Sequence, residues 1–222
     1  VLPAAISRFL EGLPQAKVRV VTATNPELLS RLSIGELDFV LGGMGDPAQM
    51  LGLTFEQLYS EPLIFIAKPS HPIFSRGADN NLESALGYRL ILPFEGTHIR
   101  RSADAFLARN GVSRPLHTIE ALSMQFTSTM LLTTEAIWFG PWGAMELDIL
   151  AKRFKLLRID TEDTLGPVGL TLRTQKEMSA PLLKLIADTR AAAAERRRDA
   201  WREWLYGADP RRSSPAPVKV VA

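Results

Sequence analysis

The chain has 222 residues, 46% of them hydrophobic and 23% charged, with a formal net charge of +2. This balance excludes wholesale disorder and collagen-like or mucin-like chains, and the length suits one large domain or two small lobes around a sizeable core. The basic charge is local: residues 195–222 hold seven Arg or Lys against four Asp or Glu, whereas the other 194 residues hold 19 basic and 20 acidic side chains, so the body lacks the charge that phosphate-backbone binding requires.

Leu2 to Leu13 is predicted as an amphipathic helix, with Ile6, Phe9 and Leu10 on one face and Pro3 in its first turn. Lys17 to Thr22 (K-V-R-V-V-T) alternates as a strand does. Pro26 opens a short helix with Leu28, Leu29 and Leu32 inward, and Gly35 supplies its stop. Asp38 to Gly42 is a short apolar run, as in a buried parallel strand, and the three segments make one right-handed βαβ unit. Glu61-Pro62 leads into a buried strand from Leu63 to Lys68, ended by the Pro69-Ser-His-Pro72 turn, and residues 73–87 read as loop with one short helix.

Further strands are predicted at Arg89–Pro93, Leu116–Glu120, Ala136–Gly140, Lys155–Ile159 and Val168–Arg173. Helices are predicted at Ile99–Asn110 with Gly111 as stop, from an N-cap at Ser123 through Thr134, and at Ala144–Leu150. A last helix is capped by Ser179, starts at Pro181 and runs on toward Trp201 and Leu205, and a disordered tail follows from Gly207. About eight strands alternate with about seven helices, which is an α/β chain with mostly parallel strands.

The absence of cysteine excludes a disulfide framework, a thiolate metal site and a cysteine nucleophile. No run of about 18 apolar residues and no charged-then-apolar leader is visible, so neither a membrane span nor a signal peptide is expected. His71, His98 and His117 have no partner at a metal-binding spacing, and no metal or cofactor is expected. Gly42-Gly-Met-Gly45 superficially resembles a phosphate loop but lacks the Lys-Ser/Thr of a Walker loop and the G-x-G-x-x-G order, so it reads as a close turn. With no G-x-S-x-G elbow either, no enzyme is expected. What remains is a ligand cleft at the carboxyl ends of strands. Thr24-Asn25, Gly43-Met44, Thr97-His98-Ile99-Arg100 and Ser123 meet that description, as ligand contacts or as ordinary helix starts. Trp138-Phe-Gly-Pro-Trp142 ends a strand with three aromatics, as core or as the wall of an apolar pocket.

Several stretches together resemble the effector-binding domain of LysR-type transcriptional regulators. Leu29 to Gly42 (L-S-R-L-S-I-G-E-L-D-F-V-L-G) resembles that family's helix–Gly–acid–apolar–Asp–strand signature, and Glu61 to Ile73 its crossover strand with a His-Pro turn. Gly166 to Arg173 resembles the return strand, and Met130 to Pro141 the helix–glycine–strand–Pro stretch. The likeness covers about residues 1–190. Around Gln57–Glu61 and Gly166–Gly169 it is nearest to regulators of protocatechuate catabolism, beside a branch that controls a galactose-binding protein.

The resemblance implies two Rossmann-like lobes joined by two crossover strands, the fold of type 2 periplasmic binding proteins, with the effector between them. Lobe I then takes residues 1–68 and 166–206, lobe II takes 69–165, and 207–222 is tail. It also implies a cytoplasmic regulator that senses a small metabolite, an aromatic-catabolism carboxylate. Such a regulator forms a homo-oligomer (a dimer, and a tetramer at full length) and touches DNA only through an N-terminal domain. The alternative is a periplasmic-type solute-binding protein for a small polar solute or sugar. Carried over by residue, the effector site is Asn25, Gly43, Thr97, His98, Arg100, Ser123, Phe139 and Pro141, with Arg100 as carboxylate partner. Two departures stand out: many aromatic-acid regulators place an arginine where this chain has Gly43, and the family's opening strand is not in this sequence. Without that strand, a slot with unpaired backbone is expected beside residues 17–22.

Overall fold

The computed structural model describes residues 1–75, 80–174, 177–196 and 201–202. Helix α1 (Leu2–Gly12) buries Ala5 and Phe9, as its apolar spacing requires. Helix α2 (Asn25–Ser33) buries Leu29 and Leu32 and stops before Gly35, whose φ of +87° only glycine adopts without strain. Strand β1 (Val40–Gly43) leads to a 3-10 turn at Pro47–Met50, then to β2 (Leu53–Glu61) and, after Pro62, to β3 (Leu63–Ala67). The middle of the chain forms α3 (Leu82–Leu86), β4 (Leu90–Leu92), α4 (His98–Arg109), β5 (Thr118–Glu120), α5 (Met124–Thr133), β6 (Ile137–Pro141), α6 (Trp142–Leu150) and β7 (Lys155–Leu156). Strand β8 (Gly166–Arg173) returns, and α7 (Ala180–Glu195) closes the described fold against α1.

Two sheets result. One has the order β1-β8-β2, both neighbours antiparallel to β8; the other has the order β5-β4-β6-β3-β7. In the second sheet β4 runs parallel to β5 and β6, whereas β3 runs antiparallel to β6 and β7. The core of the larger lobe is dominated by aromatics: Phe65 stacks on Phe139 with ring centroids 3.9 Å apart, and Phe106 tilts against both.

The chain crosses between the lobes at Pro62 and again over residues 157–165. These passages are bonded side by side. The Leu63 N–H donates to the Thr164 hydroxyl at 2.8 Å, and the Thr161 hydroxyl donates to the Leu63 carbonyl at 2.6 Å. Thr164 donates in turn to the Thr161 carbonyl, and both threonines are buried.

Two expectations are corrected. Among the described strand pairs only β4–β5 and β4–β6 are parallel, because β8 and β3, which adjoin the crossovers, run back against their neighbours. Residues 17–22 belong to no sheet, since no strand among the described residues pairs with them to complete a ladder. Strand β2, not foreseen, takes the place of that strand in the count. Strand β3, which the expected bounds give to lobe I, is hydrogen-bonded into the five-stranded sheet. Helix α7 is capped at Arg196, whose ψ of 129° is extended, and residues 201–202 are helical again. The proposed continuation to Leu205 lies largely, and the tail from Gly207 wholly, outside the described residues.

The slot is present. A cavity of about 370 Å³ opens between residues 17–21 and 36–41, walled by Phe9, Val18, Val20, Phe39, Val40 and Leu182. On one side runs the edge of β1 that does not face β8, and on the other the unpaired 17–21 segment.

Candidate functional site

Because β4, β5 and β6 are mutually parallel, α4, α5 and α6 all begin at one edge of their sheet. Each helix start is set by a local signal. At α4 the Thr97 hydroxyl accepts the Arg100 N–H at 3.2 Å and donates to the Phe94 carbonyl at 2.7 Å. At α5 the Ser123 hydroxyl accepts the Phe126 N–H at 3.2 Å, and its own proton has no acceptor among the described residues. These caps leave the first N–H groups of each helix, at His98–Ile99 and Met124–Gln125, pointing outward with the positive end of the helix dipole. The loop before α4 is tied to the end of β5 through Glu120, which accepts the Glu95 N–H at 3.3 Å.

The smaller lobe contributes the end of β1. Asn25, at the start of α2, donates from Nδ2 to the Gly43 carbonyl at 3.0 Å, joining these two positions. Three residues on, Asp46 accepts a 2.6 Å bond from Nη2 of Arg101 on α4. This contact crosses from one lobe to the other, so the carboxyl end of β1 faces the carboxyl ends of β4, β5 and β6 across a cleft. Neither Asp46 nor Arg101 stood among the expected site residues. The capping pattern Asp46-Pro-Ala-Gln49 was readable as a turn, but its partner in the other lobe was not.

Asn25, Gly43, Thr97, His98 and Ser123 therefore sit on the two facing edges. Arg100 does not act as the open cation expected of it. Its Nε donates to Asp104 at 2.8 Å, its Nη1 to Glu120 at 2.6 Å and to the Pro93 carbonyl at 3.1 Å, and its Nη2 to Glu95 at 3.5 Å. Burial works against its charge, but the bonds to Glu120 and Asp104 outweigh that and raise its pKa. The same bond holds the Glu120 carboxyl below the usual range. Arg100 is a strut of the larger lobe.

Of the two readings of the aromatic strand end, burial favours core: Phe139 is 0% exposed and stacked on Phe65, and Trp138 and Trp142 are buried too. Pro141 is half-buried, pairs with Leu63 and caps α6, whose Trp142 N–H donates to the Pro62 carbonyl at 3.0 Å. Pro141 thus belongs to the hinge. No cluster of His, Cys, Asp or Glu among the described residues is arranged to hold a metal ion, and no described helix is long and apolar enough to cross a membrane.

Comparison with known proteins matches residues 1–194 to the family model described as the LysR substrate binding domain. The HTH-type transcriptional regulator PcaQ of Agrobacterium fabrum is 35% identical over 195 residues, which are 88% of this chain and 62% of that protein. The chain thus spans about three fifths of that relative's length. Among solved structures, the regulatory domain of Synechocystis PCC6803 CcmR in complex with 2-PG is similar with a TM-score of 0.70 at 14% identity, covering 87% of this chain and 91% of that one. The effector-binding domain of QuiR in complex with shikimate is similar with a TM-score of 0.69 at 12% identity, covering 88% and 91%.

Proposed function

Since the chain belongs to the LysR-type regulators, as their effector-binding domain, we propose that it senses a small carboxylate of aromatic catabolism in the cleft between its lobes. The observation that carries this reading is the pair of facing edges, with uncapped N–H groups of α4 and α5 on one side and the Asn25–Gly43 pair on the other. Backbone N–H groups at helix starts favour an anion, and the Ser123 hydroxyl offers a further donor. The likeness to PcaQ and to a shikimate-bound domain supports a carboxylate over a sugar. Asn25, Gly43, Thr97, His98 and Ser123 form the proposed contact set, with Arg100 bracing α4 rather than touching ligand.

Within a full-length regulator, the domain shifts the balance between quaternary arrangements, and an N-terminal helix-turn-helix domain contacts DNA in the cytoplasm. Such coupling requires the effector to favour one arrangement, typically by about 1–3 kcal/mol. The domain itself pairs as a homodimer, which light scattering at high concentration checks. A thermal-shift screen of protocatechuate-pathway acids against hexoses tests the effector class. A ligand held by the native state alone at about a hundred times its Kd adds about 2.7 kcal/mol of stability. Stabilisation by hexoses with none by acids overturns the carboxylate reading.

A further inference from the structure

We propose that Asp46 and Arg101 form a latch across the cleft with which an anionic effector competes, which makes Arg101 the specificity-determining cation of the site. The proposal rests on the effector-binding reading and adds its regulation. Arg101 is the fourth residue of α4, one turn on from its capped start, so its side chain shares a face with His98 beside the outward N–H groups of His98 and Ile99. Unlike Arg100 it has a single carboxylate partner among the described residues, and that partner belongs to the other lobe.

Both ends of the bond are aimed. Asp46 is fixed by its reciprocal bonds with Gln49 in the 3-10 turn, and Arg101 is steadied by a second bond from Nη1 to the Gly96 carbonyl at 3.3 Å. Both side chains remain 49% exposed, so a dissolved anion can reach the guanidinium and replace the aspartate.

The position gives the pair leverage. Other ion pairs between the lobes among the described residues sit at the hinge: Arg196, itself held by Glu61 of its own lobe, reaches Glu146 of the larger one, and Arg109 reaches Asp163 in the crossover. Arg109 and Arg101 lie at opposite ends of α4, about 12 Å apart along its axis. One helix is thus pinned to the hinge at its C-terminal end and latched to the facing lobe at its N-terminal end. Removing the latch lets α4 swing with the larger lobe. A ligand carboxylate on Arg101 breaks the same bond while occupying the cleft.

The chain has no cysteine, so nitroxide labels on Leu51→Cys and Leu116→Cys, at sites 80% and 88% exposed and one on each lobe, report the lobe separation by pulsed dipolar spectroscopy. The expected result is a distance distribution whose long-distance fraction grows about two- to fivefold in Asp46→Asn, in Arg101→Gln and in 0.5 M salt, the range that a half-exposed ion pair commands. The exchanged pair Asp46→Arg with Arg101→Asp restores the original distribution. Unchanged distances in both single variants and at high salt overturn the latch.

The competition arm uses calorimetry with whichever protocatechuate-pathway acid stabilises the protein. Asp46→Asn should bind it about two- to fivefold more tightly, because the competing carboxylate is gone, and Arg101→Gln at least tenfold more weakly. Equal weakening by both variants overturns the competition. If no acid binds, the effector class falls, and the distance measurement still decides the latch.

Discussion

Arg100 and Arg101 are chemically identical neighbours that face different partners, because successive side chains on a helix point about 100° apart. Arg100 turns into a nest of Asp104, Glu120 and Glu95, whereas Arg101 turns to the opposite lobe. The Thr97-to-Arg100 segment was legible as a capped helix start with nearby cations. Which arginine met the cleft was not, because that depends on how α4 is rotated on its sheet. Arg100→Gln should lower stability by about 1–2 kcal/mol in urea unfolding, a charge-assisted network discounted for its exposed carboxylates. The loss should shrink in acid. Glu120 has a depressed folded-state pKa, so its contribution is present above the unfolded value of about 4.3 and disappears as pH falls through the folded one. Glu61 has the opposite sign: burial raises its pKa against the pull of Arg196, so its share is lost as pH rises through that raised value. Gly43 offers a constructive test. A Cβ there comes no nearer than 3.8 Å to the Pro167 carbonyl, and its φ is not positive. Gly43→Arg should therefore fold and tighten binding of an aromatic acid about tenfold by calorimetry, roughly 1.4 kcal/mol.

At the scale of elements, what is local was legible and what is completed from afar was not. The starts of α4, α5 and α7 were readable because Thr97, Ser123 and Ser179 each cap the helix that follows within three residues. Strand β2 was missed because Glu56 and Gln57 interrupt its apolar pattern, and only β8, more than a hundred positions away, makes it a strand. Residues 17–22 show the reverse, an alternating pattern with no ladder beside it. The β2–β8 contact is also where the lobe is least tolerant. A Cβ on Gly169 would lie 2.0 Å from the Glu56 carbonyl oxygen, so Gly169→Ala should cost about 3 kcal/mol in chemical denaturation. At the hinge, Thr164→Val removes the acceptor of the Leu63 N–H and should cost about 1–3 kcal/mol by the same measurement.

For the molecule as a whole, an α/β chain was legible from the order of its segments and its two lobes from the resemblance, while the direction of strand pairing and the place of β3 came only with the sheets. The near-neutral body fits the proposed role, in which the domain meets a small ligand and a second copy rather than a phosphate backbone. The hinge decides what such a domain can signal. Thr161 and Thr164 join the two crossovers edge to edge, so they behave as one two-ply ribbon and not as two separate tethers. A ribbon bends readily across its thickness and resists shear in its own plane. The lobes therefore keep one soft degree of freedom. Whatever grips both lobes from outside reads the same single angle that an occupant of the cleft sets from within, and that angle alone can carry the message.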